Sequence, residues 1–125
     1  MTVRLLLAYG TLKEDEPVHL GAAVPRVRTV ARGIRMPGVL YDLGDYPGAV
    51  LGGTDGSDFS ADLVEVMDDD IDGALAAYDA YEDVEYRRVL TATGLPEHPQ
   101  AWVYEWLGRT AGATRIESGV WTAAP

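Results

Sequence analysis

The 125-residue chain contains no cysteine. That absence excludes disulfides, thiolate metal sites and a cysteine nucleophile, and it fits a reducing compartment. Lysine is nearly missing too: Lys13 stands alone against nine arginines. With 20 acidic and 10 basic residues the formal net charge is −10. Such a chain lacks the basic footprint that nucleic-acid partners require, and the plainest consequence of its charge is solubility. Long apolar runs are absent as well. Leu5 to Ala8 is far too short for a membrane span or a signal-peptide core, so a cytoplasmic protein with no membrane partner is expected. The two histidines, His19 and His98, have no companions at zinc-ligand spacing, and neither a metal nor another cofactor is expected.

What remains is an ordinary apolar content of 47%, enough for one folded domain over residues 1–125. Val3 to Ala8 reads as a buried strand that ends in Tyr9-Gly10, followed by a charged loop and a short helix or irregular stretch over 18–24. Alternation over 26–35 predicts a half-exposed strand. Met36-Pro37-Gly38 then reads as a turn, with short strands at 39–43 and 49–51 on either side of the dense turn at 44–48. Residues 52–60 carry three glycines and read as an exposed loop. A strand at 63–67 leads into Asp68-Asp69-Asp70, acids suited to a helix N-terminus. The helix runs to Tyr81 or Glu82. Strands at 85–91 and 100–107 follow, split by a turn, and from about 108 the chain is rich in Gly, Ala and Thr. Many short strands with one convincing helix predict an α+β fold with a curled sheet.

Glu82 is the most informative residue. Ile71, Leu75, Tyr78 and Glu82 recur at helical spacing, so a carboxylate ends an otherwise apolar stripe. One reading pairs it with Arg87 or Arg88, or lets it reach water at the helix end. The other keeps it desolvated, with a raised pKa, as a proton shuttle walled by Tyr78, Tyr81 and Tyr86. A second feature is Tyr9-Gly10-Thr11-Leu12, directly after the first strand. It is either a plain strand-ending turn or a nest of free amides aimed at a carboxylate or oxyanion.

Two further patterns compete for attention. Asp68, Asp70, Asp72, Gly73 and Asp79 match a calcium-loop spacing, although the segment before them reads as a strand and no second loop is present to pair with it. Trp102, Tyr104 and Trp106 alternate on one strand face, as core packing or as the wall of a substrate pocket.

Taken in order along the chain, several segments resemble the gamma-glutamylcyclotransferase-like superfamily. They are Tyr9-Gly10-Thr11-Leu12, the run from Gly38-Val39-Leu40-Tyr41 to Tyr46-Pro47-Gly48, Tyr78-Asp79-Ala80-Tyr81-Glu82, Tyr86-Arg87-Arg88-Val89, Ala101-Trp102-Val103-Tyr104 and Ser118-Gly119-Val120-Trp121. The resemblance implies a small mixed β-barrel with flanking helices and a cavity floored by the Tyr9–Leu12 loop. It implies Glu82 as the proton-transfer residue, with Tyr9, Gly10, Thr11 and Leu12 gripping a gamma-glutamyl group and Tyr46 and Tyr86 completing the substrate site. The implied reaction needs no cofactor: the substrate's α-amine attacks its own γ-carbonyl and releases 5-oxoproline and an amine. The chain departs from the pattern at Tyr78, where leucine is usual, at Ala61-Asp62 and at Val120. A non-catalytic binding module of the same fold and a calcium-binding protein using Asp68–Asp79 are the alternative functions.

Overall fold

A computed structural model describes residues 3–10, 27–44, 46–52, 56–81 and 85–121. In chain order the elements are β1 (Leu5–Ala8), β2 (Val27–Asp42), β3 (Pro47–Leu51), β4 (Asp58–Val66), α1 (Ile71–Tyr81), β5 (Tyr86–Leu95), β6 (His98–Trp106) and β7 (Thr114–Arg115). Neighbouring strands run β1-β4-β2-β3-β6, and a parallel pairing of β1 with β6 at Leu6 and Trp102 closes the ring. The β1–β4, β4–β2 and β2–β3 pairs are antiparallel, while β3–β6 is parallel. A five-stranded mixed barrel results, extended by β5 on β6 and by β7 on β2. With one helix among the described residues, the class is α+β. The predicted short helix at 18–24 lies outside the described residues.

The largest departure from the sequence reading is β2. Instead of two strands and a turn at Met36-Pro37-Gly38, one strand of 16 residues runs straight through. Pro37 is the last β2 residue paired with β4, opposite Asp58, and Gly38 is the first paired with β3, opposite Leu51. The Pro-Gly pair therefore marks a handover between partners rather than a reversal. Gly38 has φ 149°, and a Cβ there would stand 2.5 Å from the Val50 carbonyl oxygen, so a side chain would block the corner. The same pairing corrects the loop predicted at 52–60. Asp58, Phe59 and Ser60 belong to β4, opposite Pro37, Met36 and Arg35. Polar residues on the outer face of a barrel strand had looked like loop.

Elsewhere β5 continues to Leu95 and only Pro96-Glu97 form the turn. Near the middle of β2 the register shifts twice, between Thr29 and Ala31 and between Ala31 and Ile34. There the nearly buried Asp62 accepts the Gly33 amide at 3.2 Å and faces the Arg32 guanidinium at 3.4 Å. That carboxylate therefore satisfies a backbone donor which the bulge releases from the ladder. The acids before α1 act as predicted: Asp70 Oδ1 accepts the Gly73 amide at 3.0 Å and caps the helix.

Apolar side chains form two clusters. Leu7, Tyr9, Met36, Leu40, Ala49, Phe59, Ala61, Leu63, Ala101 and Val103 come from all five closing strands, so they fill the barrel interior, with Trp121 joining them. Leu6, Ala8, Val64, Val66 and Tyr104 point the other way and meet Ala74, Leu75 and Tyr78 of α1. This second cluster is the seam between helix and barrel wall. Alternation on β1 decides which residue serves which cluster. Among the described residues no helix is long and apolar enough to cross a membrane.

Candidate active site

β1 ends at Ala8, and the two residues after it are both buried. The Tyr9 phenol points into the barrel, where it donates to the Tyr104 carbonyl and accepts the Ala49 amide at 3.2 Å. Its ring meets Phe59 edge-on at 5.6 Å between centroids. One side chain thus pins the end of β1 to both β6 and β3. Gly10 runs against Pro47 so closely that a Cβ would lie 2.9 Å from Pro47 Cγ, which reserves the position for glycine.

Pro47 also receives the next piece of the site, because its carbonyl accepts the Tyr86 hydroxyl at 2.5 Å. Around that bond three rings collect. Tyr86 and Trp106 are edge-to-face at 5.0 Å, and Tyr46 lies 6.3 Å from Tyr86 and 6.4 Å from Trp106. Gly48 lets them close up, since a Cβ there would stand 2.8 Å from Trp106 Cγ. Tyr46 is 38% exposed, so the group opens to solvent on that side.

The helix side of the site is polar as well as packed. Tyr78 is fully buried, and burial, with the nearby Asp68 charge, pushes its phenol far above the ordinary tyrosine value, so it stays neutral. Asp79 accepts Arg88 Nε at 2.9 Å and Arg88 Nη2 at 3.2 Å, and the Tyr104 hydroxyl donates to it at 2.6 Å. Partial burial pushes the Asp79 pKa up, but the hydrogen bonds from Arg88 and Tyr104 and the Arg88 charge outweigh it and leave a net lowering. Arg88 in turn lies 4.3 Å over the Trp102 ring. This network ties the last turns of α1 to β5 and β6.

Of the residues singled out in the sequence, Tyr9, Gly10, Tyr46 and Tyr86 come together around Pro47. Thr11, Leu12 and Glu82 lie outside the described residues. The stripe that led to Glu82 holds as far as it is described, with Ile71, Leu75 and Tyr78 all packed on the barrel. Both arginines offered as ion-pair partners for Glu82 have acids of their own: Arg87 faces Glu105 at 3.4 Å, and Arg88 holds Asp79. Sequence reasoning missed the Asp79–Arg88–Tyr104 network. Its signal was present in the calcium-loop pattern, which drew Asp79 to a different role. In the fold Asp72 and Asp79 are both on α1, seven residues or about 10 Å apart along its axis, and so do not converge on one ion. Among the described residues no three acidic or histidine side chains are placed to hold a metal.

A separate open cleft of about 170 Å³ lies beside β2 and β7, lined by Leu40, Ser57, Asp58, Arg115 and Glu117 among others. Arg115 there already binds Ser57 Oγ at 2.7 Å, and Arg35 Nε binds Asp58 at 3.0 Å. Asp58 and Arg115 there already have partners, and none of the residues lining the cleft is among those gathered around Pro47.

The chain is similar to several solved structures. An uncharacterized protein of Pyrococcus horikoshii aligns at 23% identity with a TM-score of 0.64, over 95% of this chain and 89% of its own. The protein YtfP of Escherichia coli aligns at 28% identity with a TM-score of 0.65, over 94% of this chain and 95% of its own. YkqA of Bacillus subtilis gives 21% identity and a TM-score of 0.71, with 96% of this chain matching 40% of that larger one. No curated protein matches the chain. Residues 6–123 match the family described as gamma-glutamyl cyclotransferase, AIG2-like, a span that runs from within β1 past β7 and takes in α1 and the Tyr9–Gly10 turn, and the chain belongs to that family.

Proposed function

We propose that this protein is a γ-glutamyl cyclotransferase that releases 5-oxoproline and a free amine from a γ-glutamyl amine or peptide. The observation that carries the reading is the convergence on Pro47: Gly10 packs on its ring while Tyr86 binds its carbonyl. Strand end, β3 entrance and β5 start therefore border one place, and Glu82 lies in the sequence between α1 and β5.

The reaction balances without water or cofactor. From the neutral α-amine, an N–C bond forms to the γ-carbonyl carbon and the C–N bond to the leaving amine breaks. One proton passes from the attacking to the leaving nitrogen. Glu82 takes the proton that the α-ammonium must shed before attack and returns one to the leaving group. Because both reacting groups belong to one molecule, holding the glutamyl chain curled supplies much of the rate. Backbone amides around Gly10, Thr11 and Leu12 hold the substrate carboxylate or the tetrahedral oxyanion.

The test is 5-oxoproline release from a panel of γ-glutamyl amines by the wild type and by Glu82→Gln, a change of one atom that removes the shuttle. Loss of about 100-fold or more in kcat with unchanged melting supports the reading, in the range expected for a general base. Near-wild-type turnover in the variant overturns the role of Glu82. A folded wild type that turns over no panel member favours a non-catalytic binding module.

A further inference from the structure

We infer that the Tyr46–Tyr86–Trp106 group, together with the Glu85 carboxylate, is a subsite for a positively charged leaving amine. The inference rests on the cyclotransferase reading and adds the chemistry of the substrate's other half.

Position comes first. Tyr86 is anchored on the carbonyl of the same Pro47 whose ring packs on Gly10, so the aromatic group borders the turn assigned to the glutamyl end. What extends past the glutamyl group meets these rings. The polar tips of two of them are already used internally: the Tyr86 hydroxyl donates to Pro47, and Trp106 Nε1 donates to the Arg109 carbonyl at 3.1 Å. Trp106 is buried behind the other two, so the ring faces within reach are those of exposed Tyr46 and half-buried Tyr86, and a ring face carries the negative lobe of the aromatic quadrupole. An ammonium is attracted to such a face, a carboxylate repelled by it.

Glu85 adds a full charge. Its carbonyl accepts the Leu107 amide at 2.7 Å, which fixes the residue beside the end of β6. A Cβ at Gly108 would collide with both the Glu85 carboxylate and the Trp106 ring, so these two groups converge on one spot. Glu85 is exposed, and among the described residues no cation pairs with it. Arg87, two residues on, is taken by Glu105. An aromatic wall with an unpaired carboxylate at its rim selects an ammonium over an alkyl group and disfavours an acid. The net charge of −10 favours the approach of the same substrates.

The test uses three γ-glutamyl amides of similar length whose leaving groups are diaminobutane, pentylamine and aminobutyrate. In the full-length wild type, kcat/KM is expected to fall in that order, with the cationic amide about tenfold above the neutral one. Glu85→Gln and Tyr46→Leu should each shrink that cation-to-neutral ratio several-fold. Equal kcat/KM on all three amides overturns the inference, as does an unchanged ratio in both variants. Binding of free diaminobutane and pentylamine, followed by calorimetry in wild type and Glu85→Gln, separates the two proposals. Glu85-dependent diamine binding without turnover of any amide supports the subsite while the cyclotransferase reading fails. Turnover without charge preference does the reverse. Neither turnover nor binding overturns both.

Discussion

The barrel interior and the helix seam lie on opposite faces of the same strands and are built differently. Inside, Phe59, Leu63, Leu7 and Val103 are fully or almost fully buried, and the one phenol among them, Tyr9, has its hydroxyl bonded to backbone. The seam mixes Leu6, Val64 and Leu75 with Tyr78, Tyr104 and Trp102 and has a carboxylate–guanidinium pair at its margin. The contrast separates two jobs. An apolar interior closes the ring and tolerates no polar chemistry, while the seam holds tyrosines and charges at fixed distances beside α1. The candidate site falls at the end of both, with Tyr9 the last residue of the interior cluster on the β1 side and Tyr86 packed at the edge of the seam.

Truncation inside should cost the most. Phe59→Ala removes a fully buried ring that contacts Tyr9, and a loss of about 3–5 kcal/mol in unfolding free energy is expected by denaturant titration. A loss below about 1 kcal/mol would mean that the interior is not the main source of stability. Tyr9→Phe keeps the ring but takes away a partner of the Ala49 amide and the Tyr104 carbonyl. About 2 kcal/mol is expected, in line with buried groups left unsatisfied, and activity should fall with it because the Gly10 turn loses its tether.

The seam margin should be cheaper to break and easier to read by pH. Arg88→Met is expected to cost about 1 kcal/mol at neutral pH, since the Asp79 side chain is 44% exposed and solvent weakens the pair. The folded-state pKa of Asp79 is lowered, so the stabilisation is fully present above the unfolded value of about 3.9 and is lost as pH falls through the lower folded value. Wild-type stability should therefore drop with acid over that interval more steeply than Arg88→Met. Parallel acid limbs in the two proteins would show that the pair contributes nothing. Tyr104→Phe, which removes the other donor to Asp79, should flatten the same limb by a smaller amount.

Much of this was legible in the chain, and the misses have physical causes. The Ile71–Leu75–Tyr78 spacing predicted the helix and its buried face, because an α-helix repeats every 3.6 residues whatever it packs on. The Asp70 cap was equally local. At Met36-Pro37-Gly38 local chemistry misled, since the same pair serves a turn or a strand that changes partners, and only the positions of β3 and β4 distinguish them. Asp58 to Ser60 failed in the same way: polar residues become strand when a partner supplies their hydrogen bonds. In the site, Tyr9, Gly10 and Tyr86 stood out from the residues themselves and the resemblance added Tyr46. Trp106 appeared only as one member of an alternating face, and Glu85 drew no notice beside Glu82.

The sequence by itself determined the buried first strand, the capped helix, the acidic charge and the absence of thiol chemistry, because each depends on composition or on residues a few positions apart. Tertiary structure decided that Gly10 meets Pro47, that Pro47 binds Tyr86, and that Asp79 belongs to Arg88 and Tyr104 rather than to an ion. Those contacts join residues from 9 to 39 positions apart. No local preference encodes them, and they follow only once β1 and β6 close the ring.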